Sequence, residues 1–177
     1  SDKNEMYHKL FLVPFAEYIP MSSRFPILKK FNFGQGNFVH GKEYSLFKLD
    51  SLLFSNLICY DLSNPLIVKN FIKEGARFLT VQANIAWLQN SSGVRQFFEI
   101  AKLRAVENRV GIAISANTGI SGIINPLGEV THKIQYDKQK VIKGEVFLNS
   151  KVTFYSMYGN IFSKICFLLS IVCFVLI

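Results

Sequence analysis

The 177 residues are half hydrophobic, include 17 Phe and are only 18% charged, so the chain can build one apolar core and long disorder is excluded. The formal charge of +8 comes from basic residues scattered from Lys29 to Lys151 with no recognition motif, which argues against nucleic acid and favours phospholipid headgroups as the anionic partner. Cys59, Cys166 and Cys173 are an odd set without short spacing, and His8, His40 and His132 are isolated, so no disulfide framework, metal site or cofactor is expected.

The chain begins at Ser1 in a polar run, Ser1-Asp2-Lys3-Asn4-Glu5, with no apolar signal region behind it, which fits a processed product or an incomplete piece. Residues 6–20, MYHKLFLVPFAEYIP, are mixed in polarity and punctuated by Pro14 and Pro20. Residues 21–42, with Pro26, Gly34, Gly36 and Gly41, read as a loop or lid. Apolar runs predict strands over Tyr44–Leu49 and Leu52–Cys59. Ser63 or Asn64 followed by Pro65 predicts a capped helix that runs to Glu74 and stops at Gly75. Arg77–Ala83 reads as the next strand, and Gly93–Arg109 as a helix with Val94, Phe97, Phe98, Ala101 and Ala105 on one face. Strands are expected at Val110–Ala116, Ile120–Asn125, Val130–Ile134 and Val141–Phe147. That order implies a layered α/β sheet with an antiparallel extension.

From Ile161 to Ile177 the chain reads IFSKICFLLSIVCFVLI, with Lys164 as its single charge. Its hydropathy predicts a transmembrane helix with Tyr155 and Tyr158 at the interface; the alternative is a buried helix of a soluble core. The expected division is therefore a globular part over residues 1–152 and a juxtamembrane segment with a membrane helix over 153–177.

Among residues able to carry chemistry, Cys59 closes an apolar run just before a capped helix. There it is either a thiol activated by the helix macrodipole or a buried cysteine ending a core strand. Lys9 and Glu17 lie an even number of positions apart, so an extended segment would project them to one side. A lysine can lower a thiol's pKa and stabilise an oxyanion, with a carboxylate orienting it; the alternative is two solvated charges.

Taken in order, these segments resemble the apolipoprotein N-acyltransferase family of the nitrilase (carbon–nitrogen hydrolase) superfamily. YHKLFLVPFAEYIP is similar to Y-x-K-x-x-L-V-P-F-G-E-x-x-P, and LICYD at 57–61 to the nucleophile motif L/I-C-Y-E. NIAW at 84–87 resembles N-D-A-W, IAKLRAVENR the helix M-A-x-x-R-A-x-E, SANTGISGIINPLGEV the N-T-G-I-S strand and P-x-G turn, and TFYSMYGN the T-x-Y-x-x-x-G-D segment. The resemblance implies a partial α-β-β-α nitrilase fold and a Glu-Lys-Cys triad. In it Cys59 is the nucleophile, Lys9 the triad lysine, Glu17 an additional active-site glutamate, and Tyr60, Asp61 and Trp87 support the site. It further implies two partners, a phospholipid acyl donor and a diacylglyceryl-lipoprotein acceptor. The setting it implies is the bacterial inner membrane, with the catalytic domain on the extracytoplasmic side.

Several positions depart from the pattern. Asp61 replaces Glu, Ile85 the Asp of N-D-A-W, Phe97 a His, Ala16 a Gly and Asn160 an Asp. The triad glutamate lies upstream of the lysine in the family, whereas only Asp2 and Glu5 precede Lys9 here, so these 177 residues alone are expected to be inert. Two alternatives accompany the acyltransferase: a soluble amidase or nitrilase-type hydrolase, and a catalytically dead remnant.

Overall fold

The computed structural model describes residues 6–31, 38–89, 91–149 and 151–176. Asp2, Glu5, Gly34 and Gly36 lie outside the described residues. A mixed six-stranded sheet runs in chain order, β1 to β6. β1 (Phe47–Leu49) and β2 (Leu52–Ile58) form an antiparallel hairpin, in which Leu49 pairs with Leu52 across Asp50 and Ser51. Asp50 takes a φ of +53°, a conformation that a short polar side chain tolerates in a tight turn.

Helix α1 (Pro65–Lys73) starts as the sequence indicates: the Asn64 side chain accepts the Leu66 amide hydrogen, and Pro65 occupies the first turn. Gly75, at φ +108°, ends it. The chain returns in β3 (Phe78–Ala83) parallel to β2, then crosses through α2 (Ser92–Asn108) into β4 (Gly111–Ala116), parallel to β3. β5 (Ser121–Ile124) and β6 (Val130–Ile134) complete the antiparallel extension. Alternate strand residues Leu57, Leu79, Val81, Ile112 and Ile114 share one core with Ile67, Val68 and Phe71 of α1 and Phe98, Ala101 and Ala105 of α2. The three parallel strands end side by side: Ile58 pairs with Gln82, and Ala83 with Ala116. Loops following such adjacent carboxyl ends converge, and this is where the site forms.

Two sequence expectations differ from what the structure shows. Val141–Phe147 forms no strand: the segment touches the sheet through Gly111 N–H, which donates to the Phe147 carbonyl, and Val141 is 97% exposed. With no run of ladder bonds to fix it, a stretch rich in β-branched and aromatic residues does not become a strand. The expected transmembrane helix is likewise not seen among the described residues. Gly159 at φ +67° separates a short helix, α3 (Phe154–Tyr158), from α4 (Ile161–Leu176). No described helix is long and apolar enough to cross a membrane.

α3 is fastened by a buried polar network. The Ser156 hydroxyl donates to Asn108 Oδ1 at 2.8 Å, Thr153 Oγ1 to the Glu107 carbonyl at 2.8 Å, and Asn149 Nδ2 to the Asn108 carbonyl at 2.9 Å. Buried Arg104 joins it by pairing with Glu107 and donating to the Leu62 carbonyl.

Candidate active site

Cys59 directly follows β2 and opens a 3-10 turn, Cys59–Ser63, at φ +49°. A left-handed conformation at a residue with a β-carbon costs about 1 kcal/mol, so the turn must be held from outside. Asp61 holds it. Its carboxylate is fully buried and accepts four hydrogen bonds: at Oδ2 from the Tyr7 hydroxyl (2.8 Å) and Ile58 N–H (3.1 Å), and at Oδ1 from Phe11 N–H (2.7 Å) and Leu10 N–H (3.1 Å). Three of those donors belong to the segment that carries Lys9. Tyr60, beside Asp61, stacks on Phe11 with ring centroids 5.1 Å apart. Asp61 thus staples the lysine segment to the cysteine turn, across about fifty residues of sequence.

Lys9 and Glu17 also meet, although not through an extended strand. Val13 C=O accepts from Ala16 and Glu17 N–H, and Phe15 N–H donates to the Tyr18 carbonyl, closing a tight loop with Phe15 at φ +61°. The loop folds Glu17 back so that Lys9 Nζ donates to both carboxylate oxygens at 2.7 Å, while Val13 N–H donates to Oε2 at 2.7 Å. A second segment braces the pair: Gly41 N–H donates to the Lys9 carbonyl at 2.7 Å, and Phe38 N–H to the Glu17 carbonyl at 3.1 Å. A β-carbon on Gly41 would lie 2.2 Å from the His8 carbonyl oxygen, so only glycine permits this approach.

Lys9, Glu17 and Cys59 line one cavity of about 270 Å³, together with Asn84 and Trp87 and with Val13 and Ile58 as apolar wall. Trp87 is 62% exposed. The Cys59 thiol donates to the Asn84 carbonyl at 3.8 Å. A larger cavity of about 790 Å³ lies between residues 138–142 and the sheet, and no cysteine lines it.

Burial pushes the Cys59 thiol above its ordinary value of 9.0, opposed by the Lys9 ammonium and reinforced by the Glu17 carboxylate. α1 begins six residues after Cys59, and burial is the largest influence on the thiol. Because only the thiolate reacts with alkylating agents, labelling of Cys59 by iodoacetamide should still be accelerating at about pH 10, where an ordinary exposed thiol approaches its plateau. A plateau near neutral pH, followed on the Cys59 peptide by mass spectrometry, would contradict this. Burial likewise pushes the Asp61 carboxyl up, opposed by the hydrogen bonds from Tyr7, Phe11 and Ile58, and it raises the Tyr7 hydroxyl together with the Asp61 charge.

His8, His40 and His132 are exposed and stand outside the cavity; His40 Nδ1 lies 3.0 Å from the Leu10 carbonyl oxygen. Among the described residues no group of His, Cys, Asp and Glu could hold a metal. Sequence reasoning overlooked Tyr7, Asn84 and Asn117 as participants; the first residues of YHK, NIAW and NTG were the available signal.

The profile of the carbon-nitrogen hydrolase family matches residues 2–151. The apolipoprotein N-acyltransferase of Geobacter metallireducens is 34% identical over 158 residues, covering 89% of this chain and 30% of that protein. The apolipoprotein N-acyltransferase of Rickettsia prowazekii is 35% identical over 181 residues, covering 97% and 34%. The chain spans about a third of the length of the curated relatives it matches. Among solved structures, a variant of the Nesterenkonia sp. AN1 amidase carrying acrylamide on its active-site cysteine superposes with a TM-score of 0.57. That match has 19% identity and covers 91% of this chain and 57% of the amidase. A Saccharomyces cerevisiae member of branch 10 of the nitrilase superfamily gives 0.51 at 17% identity, over 62% and 42%. At such identities the likeness shows a shared α/β fold.

Proposed function

Because this chain belongs to the carbon-nitrogen hydrolase family, we propose that it carries the acyl-transfer centre of an apolipoprotein N-acyltransferase, with Cys59 as the nucleophile. Cys59 Sγ attacks the ester carbonyl of a phospholipid, the lysophospholipid oxygen leaves with the thiol proton, and a thioester remains. The N-terminal amine of a diacylglyceryl-cysteine on a lipoprotein then attacks that thioester. An amide forms, and the proton released by the amine returns to sulfur. Lys9 stabilises the oxyanion in both halves and Glu17 orients Lys9. Both Glu17 oxygens are already engaged by Lys9, so the carboxylate serves as an orienter, and the general base falls to the glutamate that the family pattern places upstream. Residues 1–152 carry this chemistry. Both substrates reside in a bilayer, and we place the reaction on the extracytoplasmic side of the inner membrane. The apolar side chains of α4, exposed over residues 161–175, support contact with lipid.

The observation that carries this reading is the convergence of Cys59 with the Glu17-bound ammonium of Lys9 on one cavity. The cavity's modest size, about 270 Å³, favours a second reading, hydrolysis of a small amide. Vesicles of phospholipid with a radiolabelled acyl chain separate the two. In a protein that supplies the upstream glutamate, the first reading expects hydroxylamine-sensitive label on Cys59 that passes to a diacylglyceryl-cysteine peptide and is lost in Cys59→Ala. Hydrolysis of a short amide without any label from lipid would replace it with the second.

A further inference from the structure

The carbonyl that receives the Cys59 thiol is set from outside the nucleophile turn. Asn84 and Ile85 follow β3, and the hairpin joining β4 to β5 grips them at several points. Ile85 N–H donates to Asn117 Oδ1 at 3.2 Å, Asn117 Nδ2 donates to Asn84 Oδ1 at 2.7 Å, and Asn117 N–H donates to the Ala83 carbonyl at 3.2 Å. A backbone amide can only donate, so Oδ1 of Asn117 must face Ile85, which commits its NH₂ to Asn84. Two residues on, Gly119 presses against the Ile85 side chain so closely that a β-carbon there would lie 2.2 Å from Cδ1. Residue 85 is buried, which makes the turn a single rigid piece with the hairpin tip.

We propose that Asn117 is a positioning residue: by clamping the turn over residues 83–85 it fixes the Asn84 carbonyl against Cys59 and so governs the direction and reactivity of the thiol. The proposal rests on the reading of Cys59 as the nucleophile. Held there, the Asn84 backbone lowers the thiol's pKa against burial, and the contact points the sulfur's lone pairs in one direction. Release of the turn loses both. The other charged groups around Cys59 are Lys9 and Glu17 from the amino-terminal segment and Asp61 from its own turn, and none touches Asn117.

The test is the iodoacetamide rate of Cys59 in the full chain, followed on its own peptide so that Cys166 and Cys173 do not interfere. Asn117→Ala should lower the rate below the thiol's pKa about three- to tenfold, the worth of one hydrogen bond, and raise the pH midpoint correspondingly. Asn84→Ala, which removes the same amide tie, should lower it by up to about threefold, and the double variant should be no slower than Asn117→Ala alone. A change below twofold, a rise in rate, or effects that multiply would overturn the proposal. Should Asn117→Ala fail to fold by circular dichroism, Asn84→Ala decides by itself, with an unchanged rate as the overturning result. No lipid enters this experiment, so failure of the acyl-transfer reading would appear separately, as a wild-type Cys59 that takes no label from vesicles even in a protein that supplies the upstream glutamate.

Discussion

Replacing Lys9 with Met should slow thiolate-dependent labelling of Cys59 at neutral pH on the order of a hundredfold and push the midpoint of its pH profile further upward. The Lys9 ammonium is the foremost influence opposing the burial that keeps the thiol protonated. It is also the partner of both Glu17 oxygens. Its removal takes away the nearby positive charge and leaves an uncompensated carboxylate at the cavity wall, and both changes disfavour a thiolate. Lys9→Arg should recover part of the thiolate but little acyl transfer, because a planar guanidinium cannot replace a compact ammonium between Glu17 and a forming oxyanion. Alkylation of Lys9→Met within twofold of wild type would show that the ammonium does not act on Cys59.

Asp61→Ala should cost about 3–5 kcal/mol of stability, the range for breaking one side of a buried charged network. In a chain of this size that corresponds to a melting temperature lower by ~6–15 °C. Four donors lose their acceptor at once, three of them on the segment bearing Lys9 and one on the residue before Cys59. The left-handed backbone at Cys59 then has nothing to hold it. Asp61→Asn should cost less, about 1–3 kcal/mol, since one oxygen survives while the NH₂ meets Ile58 N–H. Thermal and chemical denaturation measure both variants. Equal stability of Asp61→Ala and wild type would mean that the staple contributes nothing to the fold.

Elements with strong local punctuation were legible in the residues. The Asn64-Pro65 start and Gly75 stop framed α1 nearly to the residue, and β6 has the bounds 130–134 read from its alternation. Val94, Phe97, Phe98, Ala101 and Ala105 are the buried apolar stripe of α2, as their spacing indicates. The same face also buries Arg104 and Asn108, which no periodicity announces, because they are accepted there through Glu107, the Leu62 carbonyl, Asn149 and Ser156 of α3. Val141–Phe147 has the composition of a strand without a ladder to join. The apolar run from Ile161 has the hydropathy of a membrane helix, and Gly159 sets where its helix begins.

By itself the sequence determined the alternation of strands and helices, the family likeness and the identity of the reactive residue types, because each is written in neighbouring positions. Tertiary structure alone decided which of them meet. Glu17 reaches Lys9 through a closed loop rather than strand parity, Asp61 ties together residues some fifty positions apart, and Asn117 grips a turn after another strand. It also decided that burial outweighs the lysine at Cys59, since the field at a sulfur atom is summed over every group packed around it and no local spacing encodes that sum.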